Sequence, residues 1–262
     1  MTDGREAWVA AELLVPAPQA IRWSRIPQKQ VASKRLVRWR ERWDQAHAGE
    51  VVHRKVALSR FRCRQGNNQL ELVVRGTDWR EVRIAHLALA ESKDLAEELI
   101  AEVRSRQVFS EPNIFGVHAI MVLPGGEVIA TRRSRSVHFH PGKWSLSFEE
   151  GLEPSDLDTP DPLESAAVRG ISEEFGLDAS TVAAVEPLGL VFEPALGNPG
   201  LLARIRLKLS GSEFGQEVWS GMCDEWDDVR VVAACDDRWC ASRELHATSR
   251  MRLKAHRGTP AN

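Results

Sequence analysis

The stretch AAVRGISEEFGL, residues 166–177, decides how this chain is read. Just upstream, Asp161, Pro162 and Glu164 make a helix start, with Asp161 as N-cap, proline at the first helical position and Glu164 placed to reach back as in a capping box. Gly176 supplies the stop. Ala167, Val168, Ile171 and Phe175 then fall on one side and predict a stripe facing the core. Arg169, Gly170, Glu173 and Glu174 fall on the other. Arg169 and Glu173, four apart, are spaced to pair, and Glu174 follows Gly170 by one turn. Two adjacent carboxylates repel unless they are solvated or share a cation, so the face is either an ordinary wet surface or a metal site.

Working outward, the segment VHAIMVLPGGEVIATRRS (117–134) predicts a hairpin: an apolar strand, a Pro-Gly-Gly turn, and a second strand ending in arginines. Further strands are predicted at 144–148, 189–194, 201–209 and 227–234, and a last helix over 241–257. Before the hairpin, FSEPNIFG (109–116) reads as a connection. The first half holds predicted strands at 56–64 and 70–76 and helices at 33–48 and 92–106, the latter with Leu95, Leu99 and Val103 four residues apart. Strands and helices mix without regular βαβ alternation, which predicts an α+β fold. The expected division is an N-terminal α+β extension over 1–110 and a second domain over 111–262.

Composition narrows the class. The 262 residues carry a net charge of −2, which argues against a surface coated for nucleic acid. There is no long apolar run, and the start, MTDGREAWVAAELLVPAP, is acidic and broken by proline, so a cytoplasmic protein without membrane contact is expected. Four cysteines (Cys63, Cys223, Cys235, Cys240) without a C-x-x-C pair suggest neither a disulfide framework nor a standard zinc site. The last three with His246 form a conceivable zinc set, but scattered thiols are the simpler reading.

RGISEEFGL resembles the second half of the signature of the Nudix hydrolase superfamily, Arg-Glu-(apolar)-x-Glu-Glu-x-Gly-(apolar), in six of seven specified places. Upstream, KWSLSFEEGL supplies the expected strand and Gly151, and Asp161 stands eight residues before Arg169 where the family has an acid. The resemblance covers about residues 116–235 and implies a mixed β-sheet sandwiched between helices. It also implies hydrolysis of a diphosphate linkage, with Mg2+ or Mn2+ as cofactor. Clustered carboxylates hold such ions, which neutralise the phosphate oxygens and activate water. By the resemblance, Glu173 and Glu174 are metal ligands and catalytic residues, and Arg169 orients a glutamate. Two departures stand out. Gly170 replaces the glutamate after the arginine, and the loop of nine residues between Gly151 and Asp161 exceeds the family length. Glu149 or Glu150, from the facing strand end, is placed to substitute for the absent ligand, with Glu150 the stronger candidate. The segment CDEWDD (Asp224, Glu225, Asp227, Asp228) is another source.

Arg132, Arg133 and Arg135 follow the hairpin and are candidate phosphate contacts, since guanidinium forks suit phosphate oxygens; a solvated strand end is the alternative. His138 and His140 alternate on one short segment and read either as cleft residues or as a polar strand face. Residues 22–43 hold eight Lys or Arg against one Glu, interleaved with Trp23, Trp39 and Trp43. An RNA surface with Arg38, Arg40 and Arg42 is one reading; Leu36, Trp39 and Trp43 as the buried face of an amphipathic helix is the other. The order of elements in the N-terminal half is similar, more loosely, to that of Nudix hydrolases that split UDP-glucose and UDP-galactose. That implies a UDP-sugar substrate, giving UMP and a sugar 1-phosphate. A Nudix-fold nucleotide-binding or regulatory module without turnover is the alternative, for which Gly170 speaks. Oligomeric state is not legible.

Overall fold

The computed structural model describes residues 11–27, 33–47, 53–64, 68–137, 140–218, 224–234, 236 and 244–258. In chain order these form β1 (Glu12–Pro16), β2 (Ala20–Arg25), α1 (Val37–Ala46), β3 (Arg54–Arg64), β4 (Gln69–Asp78), α2 (Trp79–Glu91) and α3 (Lys93–Arg106). There follow β5 (Gly116–Val122), β6 (Glu127–Arg133), β7 (Trp144–Ser145), β8 (Phe148–Gly151), α4 (Pro162–Phe175), β9 (Val182–Glu193) and β10 (Asn198–Leu207). The chain finishes with α5 (Gly211–Val218), β11 (Trp226–Ala233) and α6 (Ala247–Gly258). The fold is α+β. None of the described helices is long and apolar enough to cross a membrane.

Local chemistry explains the elements that sequence reading placed well. Asp161 Oδ1 accepts from the backbone N–H groups of Leu163 and Glu164, Pro162 opens α4, and Gly176 closes it in the left-handed region at φ 66°. The hairpin turn puts Gly126 at φ 87°, where glycine alone is unstrained. Ser92 caps α3, whose Leu95, Leu99 and Val103 are buried as their spacing requires. Three features are additional to the predicted set: α2, α5, and the pair β1 and β2. The predicted strand over 144–148 is divided into β7, paired with β6, and β8, paired with β5.

Strands of the large mixed sheet run in the order β1-β9-β10-β5-β6-β11, with β10 and β5 parallel. Its two faces are covered by different helices. Along β5, Ala119 and Met121 join Ile171 and Phe175 of α4 in one apolar cluster, while Ile120 joins Leu253 of α6 in another. The smaller sheet, β2-β4-β3, lies wholly in the first half of the chain, yet β1 from that half pairs with β9 at the edge of the large sheet. The first cluster runs through both sheets, from Trp39, Trp43, Leu58 and Leu72 to Phe115, Phe148 and Phe192.

Backbone pairing stitches the smaller sheet to the larger. Val56 N–H donates to Leu152 O (3.0 Å), Phe115 N–H donates to Val56 O (2.9 Å), and the Asn113 side chain bonds both the N–H and the C=O of Leu58. The arginines of α1 and of the turn before it face acids of α2 and α3: Arg40 pairs with Glu81, Arg42 with Glu91, and Arg35 with Glu102. Leu36, Trp39 and Trp43 are buried beneath them. This is the amphipathic-helix arrangement, with the basic residues 35, 40 and 42 already matched by carboxylates.

Candidate functional site

The β8 strand end, β5, the end of β6, the end of β9 and the residue before β11 meet at a cleft of about 410 Å³ lined by Arg133, Glu149, Glu150, Glu193 and Glu225, among others. Glu174 lies beside it, 6% exposed, as a carboxylate on the buried side of α4. Burial pushes its pKa well above the usual carboxylate range. Glu225, Glu150 and Glu149 add to that, against Arg133. The side chain of Glu225 is half exposed and sits 3.5 Å from Arg133 Nη2. Asp224 and Asp227 are exposed, and Asp228 pairs with Arg230, so Glu225 is the acid of that segment that reaches the cleft.

Arg169 organises this end. Its Nη1 lies 2.7 Å from Glu150 Oε1; its Nη2 donates to Asp156 Oδ2 and to Gly151 O, each at 2.9 Å. Asp156, buried, also accepts from Glu153 N–H and Ser165 Oγ, which fixes the long loop before α4. Glu150 is thereby aimed while its own pKa is raised by burial, an effect that Arg169 and Lys55 oppose. Glu173 is mostly exposed and faces Arg169 at 3.6 Å; it is not among the residues lining the cleft.

Gly170 has a steric cause. A Cβ there would fall well inside contact distance of Phe148 Cε2 and 3.1 Å from Glu150 Cβ. Phe148 is fully buried and packs edge-on against Phe175. The aromatic ring occupies the volume that a longer side chain at 170 would need.

Glu149 is engaged elsewhere. Its Oε1 accepts from Arg252 Nη2 (2.5 Å), from Thr248 Oγ1 (2.7 Å), and contacts His118 Nδ1 at 3.0 Å. Burial works against its charge, but His246, His118 and Arg252 overcome it and hold the carboxyl well below the usual range. Arg252 on α6 is fully buried; besides Glu149 it donates to the carbonyls of Ala119, Leu146 and Phe148. Burial lowers its pKa to about 10, which leaves it cationic at neutral pH. With all these donors on one oxygen, Glu149 is a structural anion, and Glu150 is the β8 carboxylate that faces the acids of α4 and β11.

The candidate phosphate-binding arginines separate. Arg133 is buried and lines the cleft; Arg132 alternates to the other face of β6, and Arg135 is exposed in the turn beyond. Period-two alternation makes that split unavoidable. His138, Cys223, Cys235 and Cys240 lie outside the described residues. His140, Glu193 and His246 have ligand atoms within 4.8 Å of one another, as no other such trio does among the described residues. Their rings oppose a shared ion, however. His140 and His246 are stacked parallel at 4.6 Å, and His246 spends Nδ1 on Thr248 and Nε2 on Ser249. Burial also pushes His246 down from its ordinary pKa, against the pull of Glu149, and both of its ring nitrogens are engaged by hydroxyls.

Glu150, Glu174 and Glu225 do fit a hard divalent cation. They are carboxylates only, one of them buried against its electrostatic preference, with a positive Arg133 at the rim. Sequence reading missed His118, Glu193, Lys55, Trp79 and Arg252. The first four lie in separate elements and converge only through the sheet register; Arg252 looks like any surface arginine of a basic helix.

No family model matches the chain, and no curated protein matches it either. Solved structures that it is similar to include a Nudix hydrolase from M. smegmatis (20% identity, 57% of this chain and 89% of that one, TM-score 0.35). Also similar are the MutT protein of Methanosarcina mazei (18%, 56% and 96%, TM-score 0.39) and an Ap4A hydrolase of C. elegans (16%, 55% and 95%, TM-score 0.38).

Proposed function

We propose that this chain is a Nudix-type pyrophosphohydrolase. It acts on a nucleoside diphosphate derivative, with a UDP-sugar as the first candidate. The observation that carries the reading is Glu174: a carboxylate buried at the end of the signature helix, opposed by Glu225 and Glu150, at the edge of a cleft that also holds Arg133. Burying an acid against like charge is costly, and a cation site is the arrangement that repays it.

In this reading Glu150, Glu174 and Glu225 hold Mg2+ or Mn2+. A bound divalent ion supplies charge neutralisation for the phosphates and a more acidic water. Arg169 keeps Glu150 aimed at the cleft and does not touch substrate, and Arg133 binds a phosphate oxygen. Glu173, on the solvent side of Arg169, shares the positioning of that guanidinium. UDP-sugar rests on the order of elements in the N-terminal half and is the finer part of the proposal.

Measuring product release with magnesium or manganese tests it, across UDP-sugars, ADP-ribose, nucleoside triphosphates, dinucleoside polyphosphates and coenzyme A, with Glu174→Gln alongside. Turnover that chelator and the substitution both abolish is the expected result. A second reading, a nucleotide-binding module without turnover, is favoured by the Phe148 ring standing where the family carries a carboxylate. It requires metal-independent binding and no hydrolysis of any compound in the panel.

A further inference from the structure

Part of the cleft wall comes from the first half of the chain. His53, Lys55 and Trp79, from the β3 and α2 region, line it together with Ile114 and Asn198. Lys55 is placed with particular economy. Its Nζ donates to Glu153 Oε1 at 2.9 Å, and its Cδ and Nζ lie 3.8 and 3.9 Å from the position a Cβ would take on Gly151. Lys55 also lowers the pKa of Glu150 through space. The Lys55 ammonium therefore stands beside Gly151, the residue that follows Glu150. Trp79 opens α2 directly after its N-cap Asp78 and is half-buried, and its backbone N–H donates to His53 O at 3.0 Å. The wall is rigidly held: Val56, one residue from Lys55, exchanges backbone hydrogen bonds with Leu152 and Phe115, while Asn198 Oδ1 contacts both His86 Nε2 of α2 and Ile114 N–H.

Building on the pyrophosphohydrolase reading, we propose that the N-terminal sheet and α2 form the recognition half of the site. Lys55 binds a phosphate oxygen of the substrate, and Trp79 stacks on its planar base. An ammonium 2.9 Å from a partly exposed glutamate is free to exchange that partner for a doubly anionic diphosphate. An aromatic side chain at a cleft wall offers a π-face to any nucleobase, which binds the base without choosing among bases. Selectivity for the base is then low, and the class recognised is a nucleotide with a diphosphate.

The test uses the full chain and two readouts. Binding of UDP-glucose and of ADP-ribose is measured by calorimetry in EDTA, and kcat and KM are measured with Mg2+ for the same compounds and for inorganic tripolyphosphate, which has no base. Trp79→Ala is expected to weaken nucleotide binding and raise KM about tenfold, with kcat and the tripolyphosphate KM little changed. Trp79→Phe restores most of the binding. Lys55→Met raises KM about tenfold for all three compounds and reduces the salt dependence of binding, and Lys55→Arg recovers it. Circular dichroism of each variant excludes misfolding as the cause. Nucleotide affinities of Trp79→Ala and Lys55→Met equal to wild type, with Glu174→Gln inactive, would overturn this inference and leave the hydrolase reading standing. Nucleotide binding lost in these variants while no compound is hydrolysed even by the wild type would keep the recognition wall and remove the hydrolase. A wild-type chain that neither binds nor cleaves nucleotides removes both.

Discussion

At Glu174 stability and the proposed function pull in opposite directions. Its folded-state pKa is raised above the unfolded value, so the native chain binds the extra proton. Stability therefore falls as pH rises from the ordinary carboxyl range towards the raised value, and the loss persists above it. Glu174→Gln removes that loss. The substitution is therefore expected to raise metal-free stability at pH 7 and, on the proposed function, to abolish turnover. Thermal melts at pH 5 and pH 7 check this: the advantage of the variant grows with pH. Gly170 obeys a different constraint. Gly170→Ala meets the Phe148 ring and is expected to cost about 1–3 kcal/mol, and Phe148→Leu is expected to relieve part of that cost in a double-mutant cycle.

Among elements, α4 was the most legible, because cap, proline, apolar stripe and terminating glycine are all local signals. The helix α3 was legible for the same reason. By contrast α2 follows β4 without a break, its Asp78 cap being also the last residue of the strand, so the sequence offers no turn to mark the change. The acids of the site were legible as a group on α4, but which β8 acid faces them was decided by α6. That helix carries Arg252, whose guanidinium claims Glu149 and leaves Glu150 to the cleft. No local pattern announces such an arginine. Arg252→Met removes the buried guanidinium that pairs with Glu149 and donates to three interior carbonyls, and is expected to cost about 3–5 kcal/mol, read by urea unfolding. The pH trend is the reverse of that at Glu174. Glu149 has a depressed folded-state pKa, so its contribution is full above the unfolded carboxyl value and is lost as pH falls through the folded one. Acid destabilisation below the unfolded carboxyl value should accordingly be shallower in Arg252→Met.

Over the whole molecule, the expected boundary near residue 110 describes where the chain changes texture, but packing crosses it freely. The strand β1 completes the large sheet at β9, the smaller sheet is bonded to Leu152 and Phe115, and one apolar cluster serves both halves. A fragment of residues 111–262 would expose the β9 edge and the apolar face beneath α1 and β3. It is expected to show no cooperative melt, whereas the full chain melts in one transition; circular dichroism of both distinguishes them. These links are invisible to sequence periodicity, which reports what each element buries and not which partner covers it.

The Arg252 clamp also orders events during synthesis. The groups it holds, Ala119, Leu146, Phe148 and Glu149, precede it by 103 to 133 residues. Every one of them leaves the ribosome well before the guanidinium that neutralises Glu149 and engages the carbonyls. Until α6 docks, the β5 and β8 ends lack their counter-charge, and Glu149 is drawn towards solvent and away from its final seat. The nascent chain therefore carries α4 early but gains its settled cleft only once α6 has been laid across the sheet, and on the proposed function hydrolysis would wait for that step.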